Sequence, residues 1–187
     1  LPSTDTPPSI TSALIEIAKS PVQTLVLGWN WKAAFFSALI RATIFFFTTL
    51  KAGAAAALTA TLAEAIFAAV VVGILGSITQ RLRNATPAWL AGVVVSVFLP
   101  MVLQILQYWF HLALHTPHLK AGMIATYIYA AVALLFNWFA MRHNALITGS
   151  EGRPLWRDMV EMPKLVALFV AAAPMALWKK LASHPEE

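Results

Sequence analysis

The chain has 187 residues, 59% of them hydrophobic and 11% charged, with a formal net charge of +5. A soluble domain carries charge on about a quarter of its residues, so a chain this small could not hide its apolar surface inside itself, and lipid is the natural solvent for the excess. With no cysteine, disulfides, thiolate metal sites and thiol catalysis are excluded. The basic residues stand singly or in pairs between apolar stretches, without the interleaved aromatics of a nucleic-acid surface, so no nucleic-acid partner is expected.

Residues 1–8 are rich in Pro, Ser and Thr and read as irregular. No charged region followed by an apolar core and a small-residue cleavage site opens the chain, so no retained signal peptide is expected. Over 9–27 the apolar positions Ile10, Ala13, Leu14, Ile17, Ala18, Val22 and Leu25 recur at helical spacing, with Ser12, Glu16, Lys19, Ser20 and Gln23 opposite. That pattern predicts an amphipathic helix, bent at Pro21, lying at a membrane surface. A soluble helix packed on a partner is the alternative. Residues 1–32 thus form an N-terminal tail and interfacial helix.

Residues 33–141 read as an all-α bundle of four transmembrane spans, over 33–50, 55–78, 88–113 and 121–141. Trp29, Trp31, Trp89, Trp109 and Trp138 fall near span ends, where indole suits the headgroup level. Lys51-Ala52-Gly53 makes a tight first connection. Thr86-Pro87 reads as a helix start, a hydroxyl cap with proline in the first turn. Residues 142–164 read as the longest loop, on the cytoplasmic side. The last domain, 165–187, opens with the apolar segment 165–178, which as a helix reaches only about 21 Å against a hydrocarbon core of roughly 30 Å. It is expected to be a short fifth span bent at Pro174, or a half-span packed on the bundle.

Orientation follows from the basic residues. Lys19, Lys32, Arg81, Arg83, Arg142, Arg153, Arg157 and Lys164 fall on one side, and Lys51, Lys120, Lys179 and Lys180 on the other. The positive-inside bias sets the N-terminus in the cytoplasm of a multi-pass membrane protein.

Two charges fall inside the first hairpin. A turn near residues 52–53 brings Arg41 and Glu64 to the same depth, and an intramembrane ion pair offsets much of the cost of burying either alone. The pair can lock the hairpin or mark a proton or ion pathway; snorkelling of Arg41 to an interface is the remaining reading. In span two Gly53, Ala57, Thr61, Ala65, Ala69, Gly73 and Ser77 recur every four positions. A run of them permits close approach by another helix.

Span three offers the best candidate site. Ser96, Gln104, Gln107, His111 and His115 share a helical face, and Pro100 among them kinks the helix by removing the hydrogen bond to the Ser96 carbonyl. A polar stripe of this kind lines a helix interface or a wet cavity. His111, His115 and His118 could hold zinc or copper, or supply an axial ligand to a haem or chlorophyll-type pigment. Interfacial hydrogen bonding is the plainer role. His143 lies at the other end of span four, roughly 33 Å from that cluster, too far for a shared haem.

Glu64 is the only acidic residue expected within a span, which excludes a di-iron carboxylate bundle. No phosphate-cradling glycine loop or nucleophile elbow is present. Asp158 and Glu161 beside Arg153 and Arg157 read as a self-neutralising turn, not an acid/base pair. These residues point first to a non-enzymatic structural or accessory subunit packed against other membrane-protein subunits or its own copies. Second comes a small transporter or channel using Arg41, Glu64 and the face of span three. A haem- or pigment-binding protein using His111 or His115 is third. A lipid-modifying enzyme comes last, for want of paired catalytic groups.

Overall fold

The computed structural model of the protein describes residues 7–113 and 123–182. The architecture among them is all-helical. Helix α1, Ile10–Lys19, is capped by Ser9, whose hydroxyl accepts the Ser12 amide at 3.0 Å. Proline has no amide to continue the ladder, and beyond Pro21 the chain runs on as a π turn, Val22–Leu27. Ile10 and Ala13 are buried, whereas Leu14, Ile15, Val22, Val26 and Leu27 are exposed. The helix is also tethered: Ile10 N donates to Thr86 O at 3.1 Å, Thr86 N donates to Pro8 O at 2.9 Å, and Arg81 bonds Glu16 at 2.7 Å.

Helix α2, Trp31–Thr49, and helix α3, Ala54–Phe67, form the first hairpin. The turn passes through a 3₁₀ segment, Leu50–Ala52, to Gly53 at φ 106°, a backbone conformation that glycine alone adopts readily. Helix α3 continues through a π turn, Ala68–Val72, into helix α4, Gly73–Leu82. At Gly73 the row of small residues packs within the chain, as does Gly76 beside it. A Cβ added at Gly73 would lie 1.7 Å from Trp29 Nε1, and one at Gly76 would lie 2.9 Å from the Ala33 Cβ. Small side chains let the two backbones approach closely, and over this part of the row the approaching segment is the start of α2 and the residues just before it.

Helix α5, Ala88–Val93, passes through a third π turn, Val94–Phe98, into helix α6, Leu99–Ala113. Thr86 is not the helix cap that its hydroxyl suggests. Pro87 occupies that position with φ −74° and ψ 141°, because Thr86 is held extended in a parallel bridge to Ser9. The π turn just ahead of Pro100 widens the backbone where the proline ring would otherwise press on the Ser96 carbonyl. The disturbance in span three is therefore a π turn as well as a lost hydrogen bond. Helix α7, Met123–Arg142, is tied back by two long-range bonds: Tyr127 Oη donates to Val97 O at 3.1 Å, and Trp138 Nε1 donates to Leu82 O at 3.3 Å.

From Arg153 on, the described residues form a second compact unit containing helix α8, Leu155–Ala182. The helix starts ten residues before the apolar segment, inside the stretch that the sequence suggests is loop. Its 28 residues reach about 42 Å, twice the length of the apolar segment alone. Arg153, just ahead of the helix, bonds Asp158 at 2.6 Å and Glu161 at 2.7 Å within its first two turns.

Two helical runs among the described residues are long and apolar enough to cross a membrane, Ala57–Leu82 and Ala88–Phe110; Tyr127–Arg142 is a shorter apolar run. Some polar side chains are buried beside the apolar core, and many large apolar ones are exposed. Arg41, Glu64, Gln107 and Asn137 are buried, while Leu58, Leu62, Ile66 and Val70 line the outside of α3 and its π turn. The apolar core joins Phe67 and Leu75 to Val95, Leu99, Leu103 and Leu134.

Candidate functional site

The structure places Arg41 against Glu64 inside the α2–α3 hairpin. Arg41 Nε and Nη2 both donate to Glu64 Oε2, at 3.0 and 2.7 Å, and the two side chains keep 4% and 1% of their surface. The antiparallel register of the hairpin sets both residues at one depth, and burial leaves no bulk water to compete. The guanidinium also stands 5.7 Å from the centre of the Phe67 ring, one turn beyond Glu64. A cation over a ring face gains further when desolvated. Phe67 in turn packs on Phe110 of α6, with centroids 5.1 Å apart. Tyr129 of α7 is half-buried and lies within Coulomb range of both charges. The ion pair is thus linked to two further helices.

On α6 the polar face turns inward. Gln107 keeps 5% of its surface, and Ser96 and Gln104 are partly buried. Ile105 keeps 51%, with Leu106 and Trp109 also exposed on the outer side. Among the described residues the side-chain oxygens of Gln104 and Gln107 and the hydroxyl of Thr61 on α3 are buried without a hydrogen-bond partner. The position of His111 on α6 is described but not its side chain, and His115 and His118 lie outside the described residues. Among the described residues no group of three His, Cys, Asp or Glu could hold a metal. His143 is exposed, with Nδ1 2.8 Å from the Phe139 carbonyl.

A second polar cluster has no counterpart in the sequence reading. Asn30 caps α2 by accepting the Ala33 amide at 2.9 Å, while its Nδ2 donates to Gln80 Oε1 at 2.8 Å and to Leu146 O at 2.9 Å. Gln80 completes the knot, donating to Thr148 O at 3.0 Å and accepting from the Thr148 amide at 3.1 Å. Three segments far apart in sequence are joined here: the start of α2, the last turn of α4 and the turn after α7. That turn carries Asn144 at φ 60° and Leu146 at φ 57°, left-handed conformations that aim the Leu146 carbonyl inward at a steric cost. An Asn before a Trp-rich helix start is a visible capping signal. Its other partners are not visible, because they depend on the fold.

Beside this knot a cleft of about 490 Å³ is lined by Trp29, Trp31, Ser77, Gln80, Arg81 and Arg83, among others. Its cations are already matched, Arg81 by Glu16 and Arg83 by Glu151. In the second unit, burial opposes the charge of Arg153, but hydrogen bonds and attraction from Glu161 and Asp158 outweigh it and raise its pKa above the usual guanidinium value. The pairing leaves neither carboxylate arranged as an acid/base partner of the other. No protein-family model, curated protein or solved structure matches this chain.

Proposed function

We propose that the chain is a multi-pass membrane protein with four crossings, its N-terminus in the cytoplasm and α1 at the interface, and that it serves as a non-enzymatic structural or accessory subunit. The observation that carries this reading is the apolar outer surface: Leu58, Leu62, Ile66, Val70, Ile105 and Trp109 are exposed, while Arg41, Glu64 and Gln107 are buried beside the apolar core. Lipid solvates such a surface and water does not. A structural role is supported by where the polar groups go. Arg41 is matched by Glu64, Asn30 by Gln80 and Leu146, and Arg81 and Arg83 by glutamates. The small residues at Gly73 and Gly76 are covered within the chain, so neighbouring subunits or a second copy would meet the apolar outer rows. One such row is Leu58, Leu62, Ile66 and Val70.

A transporter or channel is the second reading, favoured by the unpartnered oxygens of Gln104 and Gln107. Purification of the tagged protein in mild detergent, with mass measured by light scattering, separates the two. The subunit reading expects stoichiometric partner chains or a defined homo-oligomer. A lone monomer that carries flux in liposomes, lost in Glu64→Gln without loss of folding, would overturn it in favour of transport. The same sample tests the pigment reading: a Soret or chlorophyll band abolished by His111→Ala with His115→Ala would establish cofactor binding.

A further inference from the structure

Gln104 and Gln107 stand three residues apart on α6, inside a run apolar enough to cross a membrane. Side chains at that spacing are neighbours on a helix surface, and both oxygens are buried and without a partner among the described residues. An acceptor buried this way loses its hydration and gains no bond in return. Lipid supplies none either. Turning outward would set the amides among Ile105, Leu106 and Trp109, which are exposed on the outer side.

We propose that α6 carries an internal water site in which one water bridges the side-chain amides of Gln104 and Gln107. The stoichiometry fits: a water brings two O–H donors to two vacant acceptors, and a buried water is held by two to four polar partners. Water also accepts, so it serves whichever end of either amide turns inward. The clefts of about 490 and 500 Å³ are lined by other residues, and water is the smallest donor that satisfies both oxygens. The site does not depend on the subunit reading. It marks the interior next to Phe110 as wet, in contrast to the core around Leu134.

The test uses the unaltered protein in lipid, with the side-chain amide nitrogens of glutamine and the backbone nitrogens of leucine labelled. The chain has four glutamines, Gln23, Gln80, Gln104 and Gln107, so their signals are few enough to assign. Magnetisation transfer from water is followed by solid-state NMR, with exposed Gln23 as the wet reference and the backbone amide of buried Leu134 as the dry one. Both Gln104 and Gln107 are expected to build up within about twofold of Gln23 and about tenfold faster than Leu134, as for groups bonded to an ordered water. Build-up at the Leu134 rate for both would show a dry site and overturn the proposal; build-up at one alone would overturn the bridge. Gln107→Leu removes one of the two acceptors, and the Gln104 signal should then fall toward the dry reference. An unchanged Gln104 signal would also overturn the bridge.

Discussion

The α2–α3 hairpin and the inward face of α6 both bury polar side chains among apolar helices, and they deal with the cost in different ways. In the hairpin Arg41 and Glu64 meet at 2.7 Å with Phe67 beside the guanidinium. The charges neutralise each other within the hairpin. On α6 the amides of Gln104 and Gln107 keep unpartnered oxygens, so that face is complete only with a donor from elsewhere. Phe67 and Phe110, in contact at 5.1 Å, stand between the two regions. The difference teaches that burial of polar groups among apolar helices has two meanings. A matched pair sets the register of a hairpin, and an unmatched pair shows where a further molecule enters.

The largest expected effect comes from unmatching the pair. Glu64→Leu leaves the Arg41 charge buried and should destabilise the bundle by about 3–5 kcal/mol, while Arg41→Leu with Glu64→Leu should recover most of that loss. Thermal unfolding in detergent, followed by tryptophan fluorescence, reads both. Equal loss in the single and double variants would mean that the two residues act separately. Next comes Asn30→Ala, which removes a helix cap together with bonds to Gln80 and Leu146. A loss of about 1–3 kcal/mol is expected in the same assay, and Gln80→Ala in the Asn30→Ala background should add little. Gly73→Ala should cost about 1–3 kcal/mol by overpacking against Trp29, with loss of the bond from Trp29 Nε1 to Ala69 O, 3.1 Å in the native chain. Smallest of all is Gln107→Leu, expected within about 1 kcal/mol of the native protein, because an amide without a protein partner gives up little when it leaves. A cost as large as that of Glu64→Leu would erase the contrast between the two regions.

Much of this was legible in the residues, for stated reasons. The depth of Arg41 and Glu64 follows from counting away from a glycine turn, and the inward face of α6 follows from 3.6-residue periodicity. The bend at Pro21 and the disturbed ladder at Pro100 follow from the missing proline amide. Other features were hidden because they depend on distant partners. Asn30 caps α2, but its bond to Leu146 needs a left-handed turn more than a hundred residues away. Thr86 looks like a cap and is instead paired with Ser9. The early start of α8 is masked by Arg153, Asp158, Glu161 and Pro163, which together resemble a polar loop until the side chains are seen to neutralise one another.

The central claim is that the hairpin crosses a membrane with its turn on the far side from the chain after α7. Absence of cysteine makes a direct measurement simple: single variants Lys51→Cys, at the hairpin turn, and Ser150→Cys, after α7, both at exposed positions, are treated in intact cells with a membrane-impermeant maleimide. The account predicts that Lys51→Cys is labelled from outside and that Ser150→Cys is labelled only after permeabilisation. Labelling of both, or of neither, in intact cells would place the two segments on one side and contradict it.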